Sequence, residues 1–144
     1  LCRFVVPADA TKGQFVLEDR MLVFHERRRR RSTVAQEALT FQLDACSRRS
    51  GVDYMVLADQ QGFVIARSRD VGEAEEVAAY GPFLADRKPW SGRLPCESGP
   101  RDACIMPFRA GSQNVYLCAV GSQSRRVSAE MLHAQCGVRR ILGS

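Results

Sequence analysis

Between Tyr54 and Ser68 the chain reads YMVLADQQGFVIARS, two short apolar runs hinged on Asp59, Gln60, Gln61 and Gly62. Runs of this length around an Asp/Gly turn predict a β-hairpin. A hairpin with one wet face alternates apolar and polar residues, but here both runs are apolar at nearly every position, so both faces need a cover. From Thr33 to Ser50, Val34, Ala38, Phe41 and Ala45 form one row at helical spacing, and Leu39, Leu43 and Cys46 form the row beside it. That pattern predicts a helix with a wide apolar stripe. Thr33 with Gln36 fits a capping box at its start, and Gly51 suits the left-handed turn at its end. This helix is the first cover.

The second cover is predicted in GEAEEVAAYGPFLAD, Gly72 to Asp86. Glu73, Glu75 and Glu76 sit where a helix start favours negative charge. Ala74, Ala78 and Gly81 share one face with almost no side chains, where another backbone could approach closely. Pro82 is expected to end or kink the helix near Tyr80. The stretch from Asp86 to Arg101 holds three prolines and two glycines and reads as a loop, with at most one short edge strand around Trp90 to Leu94. A second hairpin follows, Ala103 to Arg109 and Asn114 to Val120, in which Pro107 argues for an edge or a bulge. The last helix has Ser128 as its expected N-cap, with Met131, Ala134, Val138 and Ile141 on one face and Gly137 weakening it.

These elements make an α+β domain over residues 33–144, with a single antiparallel sheet of about five strands between helices in the order α-β-β-α-β-β-β-α. Residues 1–32 read as an arm with a short helix around Phe15 to Phe24 and a break near Ser32. One kinked helix is only about 10–12 Å wide, too narrow to cover a sheet face alone. A second copy of it from a partner chain is therefore expected to complete that face.

Composition adds little chemistry. Net charge is +5, and the block Arg27, Arg28, Arg29, Arg30 and Arg31 supplies five positive charges, so the basic balance is local. The block is a solvated face or a contact for nucleic acid, anionic membrane or an acidic protein. No apolar run approaches the roughly 20 residues that span a bilayer, and no export signal is seen, so a cytoplasmic protein is expected. Its six cysteines then read as buried thiols. There is no phosphate-binding Gly-rich loop, no nucleophile elbow and no paired zinc knuckle, and only His25 and His133 are available as histidine bases or ligands. No catalytic residue, metal or cofactor is expected.

The segment from Leu43 to Ser68, LDACSRRSGVDYMVLADQQGFVIARS, together with Gly72 to Asp86 and NVYLCAVGSQS from Asn114 to Ser124, resembles the roadblock/dynein light-chain family. The resemblance runs from about Thr33 to Leu142. It implies a profilin/roadblock-like fold, and a dimer formed through the second helix and an edge strand, either a homodimer or a pair with a roadblock-like paralogue. It also implies a non-enzymatic role as a scaffold or regulator of a Ras-like small GTPase or of a signalling or motility complex. Ala74, Val77, Ala78 and Gly81, with Trp90 nearby, are the residues expected at the dimer interface, and Ala78→Arg is expected to yield monomers. The alternative is a binding module that uses Arg27 to Arg31 on nucleic acid or anionic membrane.

Overall fold

The computed structural model describes residues 33–143. The chain divides between Val34 and Ala35, and the second unit holds the sheet. Helix α1 covers 33–50. After it come β1 (Tyr54–Ala58), β2 (Val64–Arg67), α2 (Ala74–Leu84), β3 (Trp90–Cys96), β4 (Gly99–Ala110), β5 (Gln113–Val120) and α3 (Arg125–Leu142). The five strands form one antiparallel sheet in the order β2-β1-β5-β4-β3.

This order answers the apolar hairpin for its first run only, since β2 is an edge strand of mostly half-buried residues and Phe63 before it is 67% exposed. β1 lies inside the sheet and all five of its residues are buried. Met55 and Leu57 point to one face, where Leu39, Leu43 and Cys46 of α1 meet Val127, Met131 and Val138 of α3. Tyr54, Val56 and Ala58 point to the other, where they meet Ala74, Val77 and Ala78 of α2. Two helices thus lie on one face and one on the other. Gly51 closes α1 with φ +80, and its N–H donates to the Ser47 carbonyl at 3.0 Å.

Several expectations need correction. The stripe on α1 is narrower than its sequence pattern, since Val34 and Phe41 are exposed while the neighbouring row carries the burial. Pro82 does not end α2, which runs on to Leu84. The lost hydrogen bond falls close to the helix end, and the burial of Ala74, Val77, Ala78 and Gly81 holds the whole element on the sheet. α3 begins a turn earlier than Ser128, with Ser124 at the N-cap, because Val127 then reaches the core. Gly137 serves that helix. A Cβ there would clash with the Gln42 side chain, so the glycine lets α3 approach α1.

The edge strand expected around Trp90 to Leu94 is present, but the proline-rich stretch around it is strand where a loop was expected. It forms a long hairpin, with β3 paired to β4 from Trp90↔Ile105 to Cys96↔Gly99. Pro95 and Pro100 stand opposite each other in this ladder. The Gly121 N–H donates to the Asp102 carbonyl at 2.8 Å, which fixes the alternation along β4. By that alternation the nitrogens of Pro95, Pro100 and Pro107 all point where no strand is paired. Each proline therefore removes a donor that the ladder does not use. Pro107 sits where β4 extends past β3, a local edge as expected.

Candidate interaction surface

The first turn of α2 is the most heavily hydrogen-bonded corner among the described residues. Glu73 precedes the helix and its side chain is only 8% exposed. Its carboxylate accepts from the Tyr54 hydroxyl on β1, from the Ser98 hydroxyl at 2.6 Å, and from Arg101 Nε on β4 at 3.2 Å. One turn on, both oxygens of Glu76 accept the Glu97 N–H, at 3.2 and 3.1 Å. Glu97 and Ser98 form the tip of the β3–β4 hairpin. Burial alone would push the Glu73 carboxyl upward, but the Ser98 and Tyr54 hydroxyls and the Arg101 guanidinium outweigh it and hold it below the usual range. The same burial, with the Glu73 charge beside it, raises the Tyr54 phenol. Glu73, Glu76, Glu97, Ser98 and Arg101 border an open cavity of about 420 Å³.

The residues expected at the dimer interface fall in two places. Ala74, Val77, Ala78 and Gly81 are buried within their own chain, against the sheet. A Cβ on Gly81 would come within 3.0 Å of Tyr116 Cβ, so the close approach read from the small side chains is made by this chain's own sheet. The strand residues beneath, among them Leu94, Ile105 and Cys118, are already buried, so their burial does not demand a partner. Trp90 is half-buried at the start of β3, with its ring over Gly92. The exposed side of α2 carries Phe83, which is 78% exposed. On the flank toward β3, the Tyr80 hydroxyl donates to the Pro95 carbonyl at 3.4 Å. The small-residue row therefore faces this chain's own sheet.

β3 is an edge of the sheet, and by the alternation above its outward backbone groups are those of Ser91, Arg93 and Pro95. Ser91 and Arg93 offer both N–H and C=O; Pro95 has no N–H, and its carbonyl accepts the Tyr80 hydroxyl. Arg27 to Arg31 lie outside the described residues.

Of the described thiols Cys46, Cys96 and Cys118 are buried as expected, whereas Cys104 is half-buried and Cys136 is exposed. Burial pushes Cys46 up, burial together with Glu73 raises Cys96, and burial takes Cys118 up to about 12. Thiols held protonated in this way are poor nucleophiles. Among the described residues no group of three His, Cys, Asp or Glu side chains is placed to hold a metal ion. No described helix is long and apolar enough to cross a membrane.

No family model matches the chain, and no curated protein matches it. Solved structures do. The gliding protein MglB from Thermus thermophilus aligns with a TM-score of 0.52 at 18% identity, covering 75% of this chain and 90% of that one. This chain has the roadblock-like MglB fold. A structure of MglB with a tetrameric arrangement gives the same score, identity and coverage. Myxococcus xanthus MglB gives 0.50 at 14% identity, over 73% of this chain and 87% of that one. At such identities the likeness to MglB is one of architecture, and it agrees with the single five-stranded sheet between helices.

Proposed function

We propose that this protein is a dimeric, non-enzymatic regulator or scaffold that binds a Ras-like small GTPase. The observation that carries the reading is the fold shared with MglB, joined to an exposed phenylalanine on the helix beside an open strand edge. Dimerisation runs through the outer side of α2, at Phe83 and Tyr80, and along the β3 edge at Ser91 and Arg93, with Trp90 at its end. Ala74, Val77, Ala78 and Gly81 shape this surface from beneath, because their small size sets how deeply α2 sits. An exposed large apolar side chain next to unpaired strand groups is a natural seat for a second chain.

Light scattering tests the dimer. The wild-type protein should show about twice the 16.0 kDa chain mass, and Phe83→Asp should show the mass of one chain. A dimer unaffected by Phe83→Asp places the interface elsewhere. The GTPase reading is tested by titrating the dimer into a Ras-like GTPase loaded with a fluorescent nucleotide. Faster nucleotide release, faster hydrolysis or a complex retained on gel filtration supports it, and an intact dimer that does none of these overturns it.

A further inference from the structure

The two carboxylates on the first turn of α2 hold the tip of the β3–β4 hairpin from one side. Glu73 takes the Ser98 hydroxyl and Arg101, and Glu76 takes the Glu97 N–H. Tyr54 pins Glu73 from beneath, through its hydroxyl, to the central part of the sheet. Glu73 thus joins three elements that are far apart in sequence: β1, α2 and the hairpin. The tip itself is short. Cys96 pairs with Gly99, leaving only Glu97 and Ser98 to turn, and Gly99 takes φ +124. Away from the tip, β3 is an edge strand hydrogen-bonded on one side only, and its residues Ser91 to Arg93 are exposed. The carboxylate contacts therefore act where they restrain the strand's angle to α2.

We propose that Glu73 and Glu76 form a latch that fixes β3 relative to α2, and that this latch sets the affinity of the assembly surface the two elements share. The inference rests on the dimer reading above, and it assigns Glu73 as a positioning residue that need not touch the second chain. A surface built from a helix and a strand edge binds as one unit only while the two keep a single geometry; each freedom restored to the free chain has to be removed again on association. Ser98 is exposed and contributes its hydroxyl to the latch without filling the core. Its removal separates latching from folding.

The test combines two measurements on the full chain. Sedimentation velocity over a range of concentrations gives the dimer dissociation constant for wild type, Ser98→Ala and Glu73→Gln. Backbone hydrogen exchange of Glu97, Ser98 and Gly99 is read in a Phe83→Asp background, where a second chain cannot mask the tip. Ser98→Ala should speed exchange at the tip and raise the dissociation constant by roughly tenfold or less, because part of the lost hydrogen bond to a charged group appears as lower folding stability, while circular dichroism still shows the fold. Glu73→Gln should act in the same direction and more strongly. Faster tip exchange with an unchanged dissociation constant overturns the inference, as does no change in either. A wild-type protein that stays monomeric at every concentration overturns the dimer reading itself, an outcome distinct from failure of the latch.

Discussion

The two faces of the sheet are closed by different means. Under α1 and α3 the contacts are made by long apolar side chains, Leu39, Leu43, Met131 and Val138 from the helices against Met55, Leu57 and Leu117 from the strands. Under α2 the helix and the residue that follows it give Ala74, Val77, Ala78 and Ala85 as fully buried side chains, with Tyr80 and Leu84 only partly buried beside them, and the buried bulk comes from the strands as Tyr54, Ile105 and Tyr116. Small side chains shorten the distance between helix and sheet but provide little apolar area, at about 25 cal/mol for each Å² buried. The second face makes up the difference with polar chemistry at one end, where Glu73 draws in Tyr54, Ser98 and Arg101. One face is specified by filling space and the other by close approach with a buried charge.

The contrast is broken most severely by enlarging a residue on the close-packed face. Ala78 has no exposed surface, and its neighbours are the sheet itself. Ala78→Arg should therefore cost more than about 4 kcal/mol, since it overpacks the contact and buries a charge without a partner. It should lower the urea midpoint sharply or prevent folding, and a folded Ala78→Arg monomer of wild-type stability would contradict the packing described. The matching change on the other face is Leu43→Ala, which empties space instead of crowding it. Its cost should be about 2–5 kcal/mol, with the fold retained. Urea titration followed by circular dichroism distinguishes the two.

How much of this was legible depended on whether the signal was local. The β1–β2 hairpin was readable because its runs and turn are contiguous, and the burial of β1 on both faces followed from the missing alternation. The small-residue row on α2 was readable as a close approach; its partner was not, because spacing does not say whose backbone arrives. β3 was obscured by its own prolines. Their local meaning is a broken strand, and only the sheet order shows that each missing N–H faces an unpaired side. Periodicity located α1 but could not say that Phe41, on the same stripe, would remain 79% exposed. Glu73 read as a helix-start charge, since its partners Tyr54, Ser98 and Arg101 lie 19, 25 and 28 residues away.

The polar end of the second face gives the next prediction. Glu73→Ala leaves the buried Tyr54 hydroxyl without its acceptor, and should cost about 1–3 kcal/mol at neutral pH. The Glu73 carboxyl lies lower in the folded chain than in the unfolded one. Its contribution is therefore complete above the unfolded carboxylate value and is lost as pH falls through the folded value. The stability gap between wild type and Glu73→Gln should thus be widest near pH 7 and shrink below about pH 4. A gap that widened on acidification would mean that the carboxylate destabilises the fold where it sits.

The finest comparison uses two glycines in the same backbone conformation. Gly51 follows α1 at φ +80 with open space where a Cβ would lie, and Gly62 precedes β2 at φ +87 with the Ala79 Cα of α2 only 3.1 Å from that position. Alanine at either site must adopt the left-handed conformation, at about 1 kcal/mol. At Gly62 it must also push back the backbone of α2, on the face that depends on close approach. Gly62→Ala should therefore cost more than Gly51→Ala, by a few tenths of a kcal/mol up to about 1 kcal/mol. If the two costs are equal, α2 can move outward freely, and the second face owes its geometry to the Glu73 corner alone. If Gly62→Ala costs more, the contact along the helix shares that task.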